Sequence, residues 1–196
     1  MATLHYSITF FSYWHTGSGL TSGADLDALV IKDQNNLPYI PGKTLKGLLK
    51  GAALDLLELK NRKPEEDPFI KEFFGYFDEK SMEESTIHTR GSAFFTNAHL
   101  DSSLRKILTD QNESLKPYLY RSMASTAIDE NGVAQKGSLR RIEVTVPLTL
   151  HAAIYNVNKE DALKIEQCMN WIKRMGLNRT RGLGRCKFEI VKKEEI

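Results

Sequence analysis

The stretch Ile40–Leu57, IPGKTLKGLLKGAALDLL, decides how the rest of the chain is read. Pro41 fixes the approach of the chain and Gly42 permits close backbone contact just before a helix start. Leu45, Leu48, Leu49, Ala52, Ala53, Leu56 and Leu57 then recur at helical spacing. This predicts a helix from about Lys43 to Leu59 with one buried stripe. Lys43, Lys46 and Lys50 stand at i, i+3 and i+7, so they share a different face. Lys43 falls in the first turn, where unpaired N–H groups and the positive dipole end already favour an anion. A cation there is favourable when a phosphate or carboxylate sits between. A plain amphipathic helix with a solvated lysine face gives the same pattern, so the helix alone leaves both readings open.

Outward from this helix the chain alternates strand and helix signals. Leu4, Tyr6, Ile8 and Phe10 take one face of a strand over residues 3–14. Residues 15–39 are rich in Gly, Ser, Asp and Asn and read as a loop. Residues 60–88 read as a charged connector around one short amphipathic helix, 92–100 as a second strand, and 101–120 as mixed with a short helix. Residues 121–141, RSMASTAIDENGVAQKGSLRR, carry a turn signal at DENG and read as an extended hairpin. Residues 142–156 read as one long strand with Pro147 at a bend. A helix follows, ending at Gly176, and RCKFEIVKK is the last strand. The order β-α-β-β-α-β predicts an α+β fold: a single ferredoxin-like or RRM-like domain spanning 1–196, with insertions at about 15–39, 60–90 and 101–141.

The chain has 196 residues, 41% hydrophobic and 27% charged, which suits one sizeable globular core. No run approaches the roughly 18 apolar residues that span a membrane. The start, MATLHYSITFFSYW, lacks the charged-then-apolar order of a signal peptide. Two cysteines, Cys168 and Cys186, with no metal-ligand spacing point to a reducing cytoplasm rather than a disulfide scaffold. The net charge of +2 says little, but its distribution says more. Residues 61–84 hold eight acidic and four basic side chains, whereas 170–187 hold six basic and no acidic ones. Such asymmetry suggests an anionic partner for one surface.

Within that basic run, NRTRGLGRCK (178–187) sets Arg179, Arg181 and Arg185 around Gly182 and Gly184. Arginine suits bidentate phosphate contact, and successive N–H groups of a Gly-rich turn can form an anion nest. The spacing is neither that of a phosphate-binding P-loop nor of a dinucleotide fingerprint. A tight turn that needs glycine for its geometry is the competing reading. Tyr13, Trp14 and His15 could stack on bases, but most of them read as core. No Ser-His-Asp order, zinc-protease helix or Cys/His cluster appears, and His5, His15, His88, His99 and His151 are scattered singly. Asp25, Asp27 and Asp33 are the acidic residues of the loop 15–39. A loop carboxylate beside a basic surface suits a divalent metal or a base near an RNA 2′-OH, although spacing alone favours plain solvation.

Three blocks together resemble the RAMP superfamily of CRISPR RNA-binding proteins: LDALVIKDQNNLPYIPGKTLKGLLKGA, AIDENGVAQKGSLRRIEVTVPL and LNRTRGLGRCKFEI. Within it, the chain is similar to the repeating Csm/Cmr-type backbone subunits of type III effector complexes. The resemblance implies that Lys43, Thr44, Lys46 and Lys50, with Arg179, Arg181, Gly182, Gly184 and Arg185, hold guide-RNA phosphates. It implies that 121–141 is a thumb-like hairpin, with Arg121, Lys136, Arg140 and Arg141 as RNA contacts, that wedges between bases of the guide–target duplex. It further implies that Asp27 supports cleavage of target RNA with Mg2+ or another divalent metal, and that the partners are guide RNA, target RNA, other effector subunits and further copies of the same chain. Asp25 competes for the role of Asp27, and Lys43 and Thr44 stand where the family often has two serines. Two alternatives stay open: a metal-independent processing endoribonuclease using His15, and a purely structural RNA-binding subunit.

Overall fold

Strand β1 (Ala2–Phe10) is central to the molecule, and its inward residues Leu4, Tyr6, Ile8 and Phe10 are almost completely buried. The computed structural model describes residues 1–22, 25–63, 67–76 and 89–195. His88 and most of the acidic part of the connector therefore lie outside the described residues. Helix α1 (Gly42–Leu59) lays Leu45, Leu49, Ala52 and Ala53 onto the same core as β1. A short helical turn, Phe69–Phe74, leads into β2 (Gly75–Tyr76), which pairs with β3 (Thr89–Arg90). After β4 (Phe94–Phe95) come α2 (Ser102–Lys106) and further irregular helical turns to Leu119. Next are β5 (Tyr120–Ser125), β6 (Arg140–Thr145), β7 (Thr149–Val157), α3 (Lys159–Trp171) and β8 (Cys186–Glu195).

The main sheet has the order β4-β7-β1-β8 with every neighbouring pair antiparallel. Helices α1 and α3 pack against each other and share that core. This is the ferredoxin-like arrangement expected from the β-α-β-β-α-β order. Among the described residues, no helix is long and apolar enough to cross a membrane.

Three expectations change. The long strand 142–156 is two strands in two sheets. β6 pairs with β5, while β7 joins β1, and the chain turns at Val146–Leu148 between them. Pro147 has no N–H to give to a ladder, and Val146 N–H is taken by Leu119 O at 3.0 Å. The strand 92–100 shrinks to Phe94–Phe95 because Thr96 Oγ1 accepts the Ala153 N–H that a ladder carbonyl would take. The following residues serve α1 instead. Ile40 and Ala98 exchange backbone hydrogen bonds, and Asn97 Oδ1 accepts the Gly42 N–H at 2.8 Å. Gly42 is required there, since a Cβ would lie 2.2 Å from Phe95 O.

The last helix ends at Trp171 rather than Gly176. Ile172 turns extended, with ψ 111°, and residues 173–175 pair back onto 184–186. Met175 N donates to Gly184 O, and Cys186 N donates to Lys173 O, each at 3.0 Å. Burial of Ile172 and Met175 holds this extended course, which outweighs the favourable helix propensity of Lys173, Arg174 and Met175.

Candidate nucleic-acid interface

Helix α1 and the segment 171–179 enclose an open groove of about 590 Å³. Thr44, Gly47 and Gly51 form the α1 wall, and Lys173, Arg174 and Arg179 form the other. A Cβ at Gly47 or Gly51 would meet nothing within 4 Å. Packing therefore does not demand these two glycines; they leave the groove wide. One end is closed by Trp171, whose Nε1 donates to Asp55 Oδ2 at 3.1 Å. Lys173 and Arg174 were not singled out in the sequence, although the acid-free basic run contains them.

The lysine row divides. Lys43 is exposed beside the groove wall. Lys50 Nζ donates to Gly75 O at 2.7 Å, so it braces β2 and is not a free phosphate ligand. Lys46 is half-buried, and burial, followed by the nearby charges of Lys50 and Arg90, holds its ammonium below the ordinary lysine value. Arg90 lies opposite Gly75 in the β2–β3 pair and joins this cation cluster. Nothing in the charged connector marked it out.

The Gly-rich turn holds its own amides. Arg181 N–H and Leu183 N–H go to Asn178 O, Gly184 N–H to Tyr13 O, and Arg185 N–H to Ser12 Oγ. These four amides are taken within the protein and are not open to an anion nest. Arg179 lines the groove, and Arg181 is exposed on the same turn. Gly182, at φ +91°, is exposed, and only its backbone conformation calls for glycine. Gly184 is buried, and a Cβ there would lie 1.8 Å from Met175 O, so its role is close packing. Arg185 points away from the groove, its guanidinium 5.6 Å from the centre of the Phe11 ring.

The expected hairpin is present. β5 and β6 pair from Tyr120↔Thr145 to Ser125↔Arg140 and form a sheet of their own. Beyond them, Ile128 and Val133 are each 60% exposed, and Leu139 is nearly as open. Lys136, Arg140 and Arg141 are exposed along it, while the Arg121 guanidinium folds onto Tyr120 O at 2.8 Å.

The loop 15–39 is fastened to the base of this hairpin. Glu143 accepts from Lys32 Nζ at 2.7 Å and from Val30 N at 3.1 Å, and the Lys32 ammonium sits 4.0 Å over the Tyr120 ring. Asp27 N donates to Arg141 O at 2.8 Å, and Arg141 N donates back to Asp27 Oδ2 at 2.7 Å. Asp27 is exposed, and its other carboxylate oxygen has no partner among the described residues. Asp33 is different: its Oδ1 accepts from Asn35 N and Leu37 N, and its Oδ2 from Arg105 at 2.7 Å. Among the described residues, no three His, Cys, Asp or Glu side chains converge to hold a metal. One exposed carboxylate does not make a closed cage, but it suits Mg2+, which keeps waters and shares phosphate oxygens with its substrate.

Trp14 and His15 are core, as expected, whereas Tyr13 is exposed. His15 is only 2% exposed, and its Nδ1–H donates to Glu143 O at 2.6 Å. His15, the candidate for metal-independent RNA processing, is thus buried with its Nδ1 committed to the hairpin base.

A sequence profile of the RAMP superfamily matches residues 7–187. The chain belongs to the RAMP superfamily. Its fold is similar to a chain in the cryo-EM structure of the type III-B Cmr-beta complex bound to cognate target RNA. That match has a TM-score of 0.64 and 14% identity, covering 95% of this chain and 96% of the other. A chain of the apo Cmr-beta complex matches with a TM-score of 0.63 and 15% identity, covering 97% of each. No curated protein matches the sequence. In this RAMP chain the basic groove, the projecting hairpin and Asp27 are thus three parts of one scaffold, joined through the loop 15–39.

Proposed function

We propose that this RAMP protein is an RNA-binding backbone subunit of a type III CRISPR effector. The observation that carries the reading is the groove between α1 and residues 171–179, opened by Gly47 and Gly51 and walled by Lys173, Arg174 and Arg179. Guide-RNA phosphates run along it and are held mainly by side-chain charge, which makes binding insensitive to sequence and sensitive to salt. The exposed Ile128, Val133 and Leu139 suit a hairpin that wedges between bases of the guide–target duplex. Copies of the chain and other effector subunits share one guide.

Asp27 is the candidate for target-RNA cleavage, with its free oxygen turned to the RNA 2′-hydroxyl beside the scissile phosphate. A divalent ion, when bound, would be held by Asp27 and would supply charge stabilisation there. A subunit that binds without cutting is the second reading. It is favoured by the Arg141 N–H, which already engages one oxygen of that carboxylate.

The test is the mass of complexes formed on guide-length RNAs of increasing length, repeated across salt. Copies that rise stepwise with RNA length, with affinity falling steeply in salt, support the backbone role. A single copy on every length refutes it.

A further inference from the structure

A second groove, of about 390 Å³, shares Ile172 and Lys173 with the first as lining residues. We propose that it receives one unpaired nucleotide of a bound RNA, the base stacked on Phe11 and the phosphate against Lys173 and Arg185. This rests on the RNA-binding reading above.

Phe11 directly follows β1 and is 50% exposed. Its position is fixed by backbone pairing: Phe11 N donates to Arg185 O at 2.8 Å, and Arg185 N donates to Ser12 Oγ at 2.9 Å. The two side chains are therefore neighbours, and the guanidinium lies 5.6 Å from the ring centre with no carboxylate partner among the described residues. The floor is apolar and buried, with Ile172 and Phe188. Lys173 extends from the ridge shared by the two grooves, and its ammonium has no partner among the described residues. Lys187 is on the rim but is paired with Glu189 at 2.7 Å. Among the described residues, no carboxylate lines the groove.

An aromatic platform with unneutralised cations at its edge is the composition that holds single-stranded nucleotides: the ring takes a base face and the cations take the phosphate. The volume falls within the range of small-ligand sites. An acidic peptide would use the cations and leave the ring idle, whereas a nucleotide uses both. Because Lys173 borders both grooves, one strand can keep its phosphates in the first and turn a base into the second.

The experiment measures full-chain binding to a short oligouridylate and to an abasic strand of equal length and charge. Phe11→Ala is expected to weaken the base-bearing strand about tenfold and leave the abasic strand unchanged. Phe11→Trp is expected to restore the difference and to quench a 2-aminopurine placed in the strand. Arg179→Ala, in the first groove, is expected to weaken both strands alike. If Phe11→Ala binds both strands as the wild type does, the nucleotide site is overturned while RNA binding in the first groove stands. If the wild type binds neither strand, the RNA-binding reading falls and this site with it.

Discussion

Asp27 and Asp33 belong to one loop and have opposite fates. Asp33 is closed off by two backbone N–H groups and Arg105, and it shapes the turn that leads to Tyr39 and α1. Burial alone pushes its carboxyl up, but the Leu37 N–H, the Arg105 guanidinium and the Asn35 N–H outweigh burial and hold it below the ordinary value. The ionised form therefore stabilises the fold above an ordinary carboxylate pKa of about 4, and that contribution is lost as pH falls through the lower folded value. Urea unfolding between neutral and strongly acid pH is expected to show a shallower acid limb for Asp33→Asn than for the wild type. Asp27 has one oxygen without a partner among the described residues. Asp27→Asn keeps an acceptor for the Arg141 N–H, so guide binding is expected to stay within about twofold of wild type while target cleavage is lost. Cleavage at the wild-type rate by this variant would remove Asp27 from the chemistry. The sequence showed that a loop aspartate was a candidate. Which one is free depends on hydrogen bonds to Arg105 and Arg141, residues distant in the chain, which no local pattern displays.

At the scale of elements, α1 combines a buried leucine stripe with a groove wall made of Thr44, Gly47 and Gly51. Glycine inside a helix costs about 0.5–1 kcal/mol relative to alanine, and here no packing requires it. Gly47→Ala and Gly51→Ala are each expected to raise unfolding free energy by about that amount in urea titration. Gly51→Gln, which fills the groove, is expected to lower RNA affinity about tenfold in the same preparation. A Gln variant that binds RNA as the wild type does would show that the groove is not the track. The hairpin makes a complementary case. Its outer part has exposed apolar residues and its own short sheet, so replacing residues 127–138 with a short Asn-Gly turn is expected to move the melting temperature by less than about 4 °C. Loss of the cooperative transition would mean the tip belongs to the core. The hairpin was legible from DENG and its flanking pattern. The division of 142–156 between two sheets was not, because an alternating strand pattern does not say which partner each half will meet.

For the whole molecule, the ferredoxin-like sheet brings together segments that start far apart. β1 leads to Phe11, α1 supplies the groove wall, and α3 runs into 172–176, so both grooves meet at Lys173. Binding is expected to depend on summed phosphate contacts. Lys43→Ala and Arg179→Ala should each reduce the slope of log affinity against log salt by about one, uniformly across RNA sequences. Lys50→Ala, whose ammonium is held by Gly75 O, is expected to leave that slope unchanged and to lower stability instead. Equal slope changes for all three would restore the continuous lysine track that helical spacing suggests. The sequence by itself determined the order of elements, the buried stripes, the hairpin and the basic character of 170–187, because these rest on local periodicity and composition. Only the tertiary structure decided that Lys50 braces a strand, that the Gly-rich amides turn inward, that Arg185 leaves the first groove for Phe11, and that His15 is buried. Lys50, His15, Arg185 and the Gly184 and Arg185 amides each depend on a partner distant in the sequence, and folding alone brings the two together.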